Sequence, residues 1–278
     1  MLKRVYFLLG LSSSLLGSKA PNILFLFSDD HALRTIGAYP GSINQTPNLD
    51  TIAKEGAIFS HSCNVNAICC PSRAAILTGK HSKANGVIGN SSNWNGKQWV
   101  YPRELGKAGY QTALIGKWHL KGNPTDEFQH WDILSGKGGQ GSYFNPVFLS
   151  AKGEKRTLGH STKIITDKTL KWLKERDKKM PFLVCAQYKT PHIHRLPPPK
   201  FMGQYDQVNF PVPHTFFDDF STRSSFVSET WMALKGMKGH VLNIAPSESE
   251  IKANPKLMPP FLREMTPPQR TAWHQAYD

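Results

Sequence analysis

Asn22-Ile23-Leu24-Phe25-Leu26-Phe27-Ser28-Asp29-Asp30-His31 is a nearly unbroken apolar run that stops abruptly at two carboxylates. A short apolar run without alternation reads as a strand buried on both faces, the habit of parallel sheets. Two later stretches have the same shape. Thr112-Ala113-Leu114-Ile115-Gly116 runs straight into Lys117-Trp118-His119, and Phe182-Leu183-Val184-Cys185-Ala186 leads to Lys189-Thr190-Pro191-His192. Between them lie helical stretches: Thr46 to about Gly56, Pro102 to Ala108, and Ser161 to Lys179, whose Ile165, Trp172 and Leu173 mark an inner face. Strands alternating with helices imply right-handed crossovers and a mostly parallel sheet flanked by helices, an α/β fold. In such a sheet the strands' C-terminal ends share one edge, where ligands bind. Asp29-Asp30, Lys117/His119 and Lys189/His192 are therefore expected in one crevice.

A fourth stretch opens toward the same edge: Cys69-Cys70-Pro71-Ser72-Arg73-Ala74-Ala75-Ile76-Leu77-Thr78-Gly79. Proline suits a first helical turn. Cys69 is thus expected in the loop just before a helix N-terminus, where free N–H groups and the dipole favour negative charge. Arg73 adds a cation about one turn on. Adjacent carboxylates such as Asp29 and Asp30 suit a hard cation, since Ca²⁺ and Mg²⁺ prefer oxygen ligands. Standing alone, each of these features has a plainer reading: a buried cysteine pair, a capped turn, a packed histidine, a surface lysine.

The Cys-x-Pro-Ser-Arg run followed by Leu-Thr-Gly resembles the signature of the sulfatase family, within the alkaline-phosphatase-like superfamily. Asp29-Asp30, Gly116-Lys117-Trp118-His119-Leu120 and the Pro191-His192 loop resemble other family motifs. The resemblance implies that Cys69 is oxidised to formylglycine by a converting enzyme and becomes the nucleophile. It implies one Ca²⁺ held by Asp29, Asp30 and the modified Cys69. Arg73 would stabilise the nucleophile, Lys117 would offset negative charge, His119 would accept a proton, and His192 would hold the sulfate and protonate the leaving oxygen. Gly138-Gly139-Gln140-Gly141-Ser142-Tyr143-Phe144-Asn145-Pro146 is similar to a stretch of the N-acetylglucosamine-6-sulfatase and mucin-desulfating branch, as are Phe210-Pro211-Val212-Pro213 and the run from Asp218 to Arg223. A sulfated sugar, or an aryl sulfate, is the implied substrate. Lys189 and His194 are left as basic neighbours without a role.

The chain has 278 residues and a net charge of +14. That balance favours anionic partners. Lys and Arg are scattered and no zinc-finger spacing occurs, which argues against nucleic acid. Residues 1–20 have a basic start at Lys3-Arg4, a short apolar core and Ser18-Lys19-Ala20, the pattern of a cleavable secretory signal, with secretion or periplasmic export expected and no stable membrane anchor. Residues 21–278 are expected to form the N-terminal portion of a sulfatase catalytic domain. Four cysteines do not match zinc spacing, and Cys185 reads as a core residue. Residues 196–213 read as an irregular loop. Asn254 to Gln269, rich in proline, reads as extended surface chain or a disordered end. The family's later segment, with a further Asp paired with Asn, Gln or His and another lysine, has no counterpart after His192: Asp206, Asp218 and Asp219 follow no strand. The resemblance thus also admits an incomplete, weakly active homologue or a non-enzymatic binder of sulfated glycans, and the same nucleophile could serve phosphate or phosphonate esters.

Overall fold

The computed structural model describes residues 20–229 and 245–277. The expected leader lies outside the described residues except for Ala20. The sheet has six strands: β1 (Ile23–Phe27), β2 (Gln111–Gly116), β3 (His130–Leu134), β4 (Val147–Ser150), β5 (Gly153–Arg156) and β6 (Phe182–Gln187). Their order is β1-β6-β2-β3-β4-β5. β1, β6, β2 and β3 run parallel; β4 and β5 continue the sheet antiparallel. The three strands expected from apolar runs are thus adjacent and parallel. The other three were not anticipated. β3 interleaves His130 and Asp132 with buried Trp131, Ile133 and Leu134, and β5 is exposed throughout, so neither carries a continuous apolar run.

The helices in chain order are α1 (Pro47–Glu55), α2 (Cys69–Thr78), α3 (Ser82–Asn85), α4 (Tyr101–Lys107), α5 (Ser161–Glu175), α6 (Ser225–Ser228), α7 (Glu248–Ala253), α8 (Pro260–Arg263) and α9 (Pro267–Tyr277). α2 contributes Cys70, Ala74 and Leu77 to a core shared with Leu114, Leu183 and Cys185. α5 packs Ile164 and Ile165 on the opposite face against Ala113, Ile115, Val184 and Ala186, with Trp172 and Leu173 partly buried beside them. These alternating positions show why β2 and β6, covered on both sides, are apolar throughout.

β1 departs from expectation. It is the edge strand, and its face carrying Leu24 and Leu26 is half exposed, 50% and 46% respectively. Ile23 and Phe25 pack inward, but no described element covers the other face. A continuous apolar run therefore did not imply burial on both sides here.

The proline-rich tail corrects a second expectation. Residues 254–269 form short helical turns, and Phe261, Leu262 and Met265 are buried with Tyr143, Phe144, Leu196, Ile251 and Trp273 in a third core. Prolines at the first positions of α8 and α9 start helices instead of preventing them. Asn145 fastens the tail to the sheet: its side-chain amide donates to the Glu264 carbonyl at 2.8 Å and to Gln269 Oε1 at 2.8 Å. Its Oδ1 accepts from the Gly159 amide at 2.9 Å. Residues 196–213 are irregular as expected, with one 3-10 turn at Pro199–Phe201. Among the described residues no helix is long and apolar enough to cross a membrane.

Because Phe261 is fully enclosed, Phe261→Ala is expected to cost about 3–5 kcal/mol. Urea denaturation followed by fluorescence reads this as a lowered midpoint. An unchanged midpoint would mean that the tail does not pack as described.

Candidate functional site

The C-terminal ends of β1, β2 and β6 are tied together by their backbones. Lys117 N–H donates to the Gln187 carbonyl at 2.7 Å, Tyr188 N–H to the Phe27 carbonyl at 2.7 Å, and Asp29 N–H to the Thr190 carbonyl at 3.0 Å. Gly116 is required at this crossing. Its φ is +112°, and a Cβ there would lie 2.0 Å from the Gln187 carbonyl oxygen. The strand ends thus deliver Asp29, Lys117 and Lys189 to one place before any side chain is considered.

At their centre is a buried ion cluster. The Lys117 ammonium donates to Asp29 Oδ2, and the Arg73 guanidinium approaches the same oxygen at 3.4 Å. Arg73 Nη1 also donates to the Lys117 carbonyl at 2.5 Å and to Gln187 Oε1 at 2.6 Å. Asp29, Lys117 and Arg73 are 6%, 0% and 3% exposed. Burial opposes ionisation of Asp29, but Arg73 and Lys117 more than offset this and hold its carboxyl below the ordinary range. Burial, reinforced by Arg73, lowers Lys117 despite Asp29. Gln187, the last residue of β6, was not singled out in the sequence; its position at a strand end was the available signal.

Cys69 is the first residue of α2, not the loop residue before it; Ile68 is the N-cap. Its position at the positive end of the helix is as expected. Asn90, which the sequence did not mark, sits against it: Oδ1 accepts from the Cys70 amide at 3.2 Å and lies 3.4 Å from Cys69 Sγ. Cys63, Cys69, Cys70 and Cys185 are all unpaired thiols, and Cys185 is buried in the core. Burial raises the Cys70 thiol, and so does neighbouring Cys69.

Asp29, Asp30, Cys69, Ser72 and Arg73 line one cavity of about 420 Å³. Asp30 is exposed and adopts φ +56°, a left-handed conformation uncommon outside glycine. His192 Nε2 stands 3.7 Å from Asp30 Oδ2. Burial, then the charges of Lys117 and Lys189, lower His192. His119 also has positive φ, +54°, and its buried Nδ1 has no hydrogen-bond partner among the described residues. Burial, with Lys117 and Arg73 nearby, pushes its imidazole down to about 4, so it is a neutral base near pH 7. All seven residues expected from the sequence therefore gather at one sheet edge. The carboxylates of Asp29 and Asp30 are right in kind for a hard cation. Yet among the described residues no group of three or more His, Cys, Asp or Glu side chains could hold a metal, so they form part of a coordination shell only.

The sulfatase family model matches residues 21–236. The chain belongs to the sulfatase family. It is 44% identical over 218 residues to an N-acetylglucosamine-6-O-sulfatase of Bacteroides thetaiotaomicron, a match covering 78% of this chain and 39% of that protein. It is 36% identical over 117 residues to human N-acetylgalactosamine-6-sulfatase, covering 37% of this chain and 22% of that one. A solved structure of a protein in complex with its substrate D-glucosamine-2-N,6-O-disulfate superposes with a TM-score of 0.89 at 38% identity, over 93% of this chain and 53% of the other. The chain thus spans about two fifths of the length of the Bacteroides relative.

His119 gives the site a pH signature. An unfolded histidine titrates near ~6.5, whereas the folded one resists protonation until about 4. Protons therefore bind the unfolded chain preferentially as pH falls through that window. Stability is complete above the upper value and is lost on the way down to the lower one. His119→Gln is expected to remove about 2 kcal/mol of the loss between roughly pH 7 and pH 5. Urea midpoints of both proteins at the two pH values measure this, and identical slopes would exonerate His119.

Proposed function

We propose that the chain is the nucleophile-bearing part of a sulfuric ester hydrolase acting on a sulfated amino sugar. The observation that carries this reading is Cys69 at the start of α2, sharing a cavity with Asp29, Asp30 and Arg73. Kinship with an N-acetylglucosamine-6-O-sulfatase supports the substrate class.

In this reading a converting enzyme oxidises Cys69 to formylglycine, whose hydrated form carries two hydroxyls. One hydroxyl attacks the sulfur of the ester, while Arg73, Lys117 and the N-terminus of α2 face the gathering negative charge. The sugar oxygen leaves with a proton from His192. His119, neutral at ordinary pH, takes the proton of the second hydroxyl, so sulfate is expelled and the aldehyde returns. Asp29 and Asp30 would hold a Ca²⁺ ion, which supplies positive charge at the reacting oxygens when bound. Residues 1–20 are proposed to direct export, with cleavage near Ala20, and residues 21–278 to belong to one catalytic domain.

One observation favours a second reading. The described residues offer two carboxylates where Ca²⁺ takes about 6–8 oxygens. A cleft that binds sulfated glycans with little turnover is consistent with that shortfall.

Two measurements separate these. When the protein is made alongside a converting enzyme, mass spectrometry should find the aldehyde at Cys69 and an intact thiol at Cys70. Hydrolysis of N-acetylglucosamine 6-sulfate and of a chromogenic aryl sulfate should then be lost in Cys69→Ala. Intact Cys69 in such material would sink the nucleophile assignment; conversion without turnover would select the binder. Calorimetric titration with Ca²⁺ should show affinity reduced at least tenfold in Asp29→Asn and in Asp30→Asn, and equal affinity in all three proteins would make the pair a structural turn.

A further inference from the structure

Asn90 stands against residue 69, and no step of the proposed reaction uses it. Its Oδ1 accepts from the Cys70 amide at 3.2 Å and from the Cys69 thiol at 3.4 Å. It is held there from several sides. Ser92 Oγ closes the turn around Asn90, accepting from the Ile88 and Gly89 amides at 3.1 Å each. Asn93 Oδ1 accepts from the Lys121 ammonium at 2.8 Å. The Trp94 indole N–H donates to Glu127 Oε1 at 2.8 Å, and Arg103 Nη1 donates to the Gly96 carbonyl at 2.7 Å. Trp94 also meets Trp118, the residue between Lys117 and His119, edge to face at 6.2 Å between ring centres. Residues 88–98 are thus clasped to the segments that flank the site.

The anchor of the clasp is costly. Glu127 is 3% exposed, and its Oε2 is buried without a partner among the described residues. A buried acid satisfied at one oxygen only is destabilising. Gly96 leaves room for that carboxylate, since a Cβ there would lie 2.5 Å from Glu127 Oε1. The effect of the clasp is to present a carbonyl oxygen, a pure acceptor, to the side chain of residue 69. An amide oxygen has two lone pairs. The Cys70 amide takes one and leaves the other for residue 69. That amide also fixes which end of Asn90 faces inward, because Nδ2 in the same place would set donor against donor.

We infer that Asn90 is an orienting residue that favours the hydrated over the free aldehyde form of residue 69. Hydration adds one water across the C=O bond. The water oxygen bonds to the carbonyl carbon, the π pair of that bond takes up a proton, and each oxygen ends as a hydroxyl. No other reactant is consumed. The free aldehyde has only an acceptor, to which Asn90 Oδ1 cannot bond. The diol has two O–H donors, and the hydroxyl in the place of Sγ donates to Asn90 Oδ1 as the thiol does. A contact made in one form and not in the other shifts the balance between them. The inference rests on the proposed conversion of Cys69 and adds the group of this chain that holds the reactive form.

The test uses the full chain, made alongside a converting enzyme with cysteine carrying carbon-13 at Cβ. The aldehyde and diol carbons of residue 69 give well-separated NMR signals, whose ratio measures hydration. Asn90→Leu should lower the diol-to-aldehyde ratio about three- to tenfold, the weight of one hydrogen bond. Asn90→Asp, which keeps the acceptor, should hold the ratio at or above that of the wild type. Trp94→Phe removes the bond to Glu127 without touching residue 69. It should lower the ratio about twofold, and it decides the matter if Asn90→Leu fails to fold. A merely structural Asn90 would lower the urea midpoint of its variants and leave the ratio alone. An unchanged ratio in Asn90→Leu, or in Trp94→Phe where that variant stands in, overturns the inference while leaving the nucleophile reading intact. An equal fall in Asn90→Leu and Asn90→Asp also overturns it. An intact Cys69 thiol in the wild type refutes the nucleophile reading together with the inference.

Discussion

The contact of Asp29 with Lys117 and Arg73 is the constraint around which the rest is arranged. Three full charges removed from water need close mutual satisfaction, because desolvation costs several kcal/mol per ion. Here one carboxylate oxygen serves two cations, and Arg73 is further anchored to the Lys117 carbonyl and to Gln187. Those anchors come from β1, β2, β6 and α2. A displacement of any one element would strand a buried charge, so the cluster fixes the relative positions of the strand ends and the helix that carries Cys69. The excess of one positive charge in this cluster is itself informative: the site is built short of an anion. Stability alone would favour an apolar core in its place, so the retained charge suits a pocket made for a negatively charged ligand.

Backbone geometry makes that cluster possible. Gly116 lets β2 end against the Gln187 carbonyl, which turns Lys117 inward where an ordinary residue at 116 would force the strands apart. Asp30 and His119, both in the left-handed region, leave their strands immediately afterward. Non-glycine residues held there cost energy that the surroundings must supply. Both lie within the neighbourhood that the ion cluster rigidifies.

The parallel part of the sheet and most of the site were legible because two simple signals coincided. β2 and β6 are buried on both faces and read as apolar runs, and the residues just past such strands must lie at one edge. Cys69, Arg73, Lys117, His119 and His192 were singled out through that argument and through family resemblance together, and they do converge on one edge. What stayed hidden has common causes. β3 is interrupted by His130 and Asp132 and β5 is polar throughout, so neither signals a strand, and β1 misled because an apolar run does not report whether a neighbour covers it. The tail misled because proline opens helices as readily as it interrupts them. Gln187 and Asn90 were invisible for another reason. Each acts through one amide oxygen placed by tertiary geometry, and no pattern in a single sequence marks that.

The corrections to the tail and to the antiparallel strands bear on function as well as on fold. The parallel strands supply the residues proposed to react, and every one of them except Cys69 and Arg73 follows a strand end. The antiparallel extension supplies no such group. It carries the chain from β3 through the glycine-rich segment to Asn145, which holds the tail by hydrogen bonds to Glu264 and Gln269 and is itself fixed by the Gly159 amide. Phe261 and Trp273 then pack against one another, with Tyr143 in the same core, while Tyr143 reaches the His192 carbonyl. The loop bearing His192 is thus braced from the side of the tail, while the buried ion cluster lies on the side of the parallel sheet. Under the proposed function, chemistry and recognition would be carried by different layers of the fold. Under the same reading, exchange of residues in the glycine-rich segment and the tail would leave undisturbed the buried charges that fix the position of Cys69.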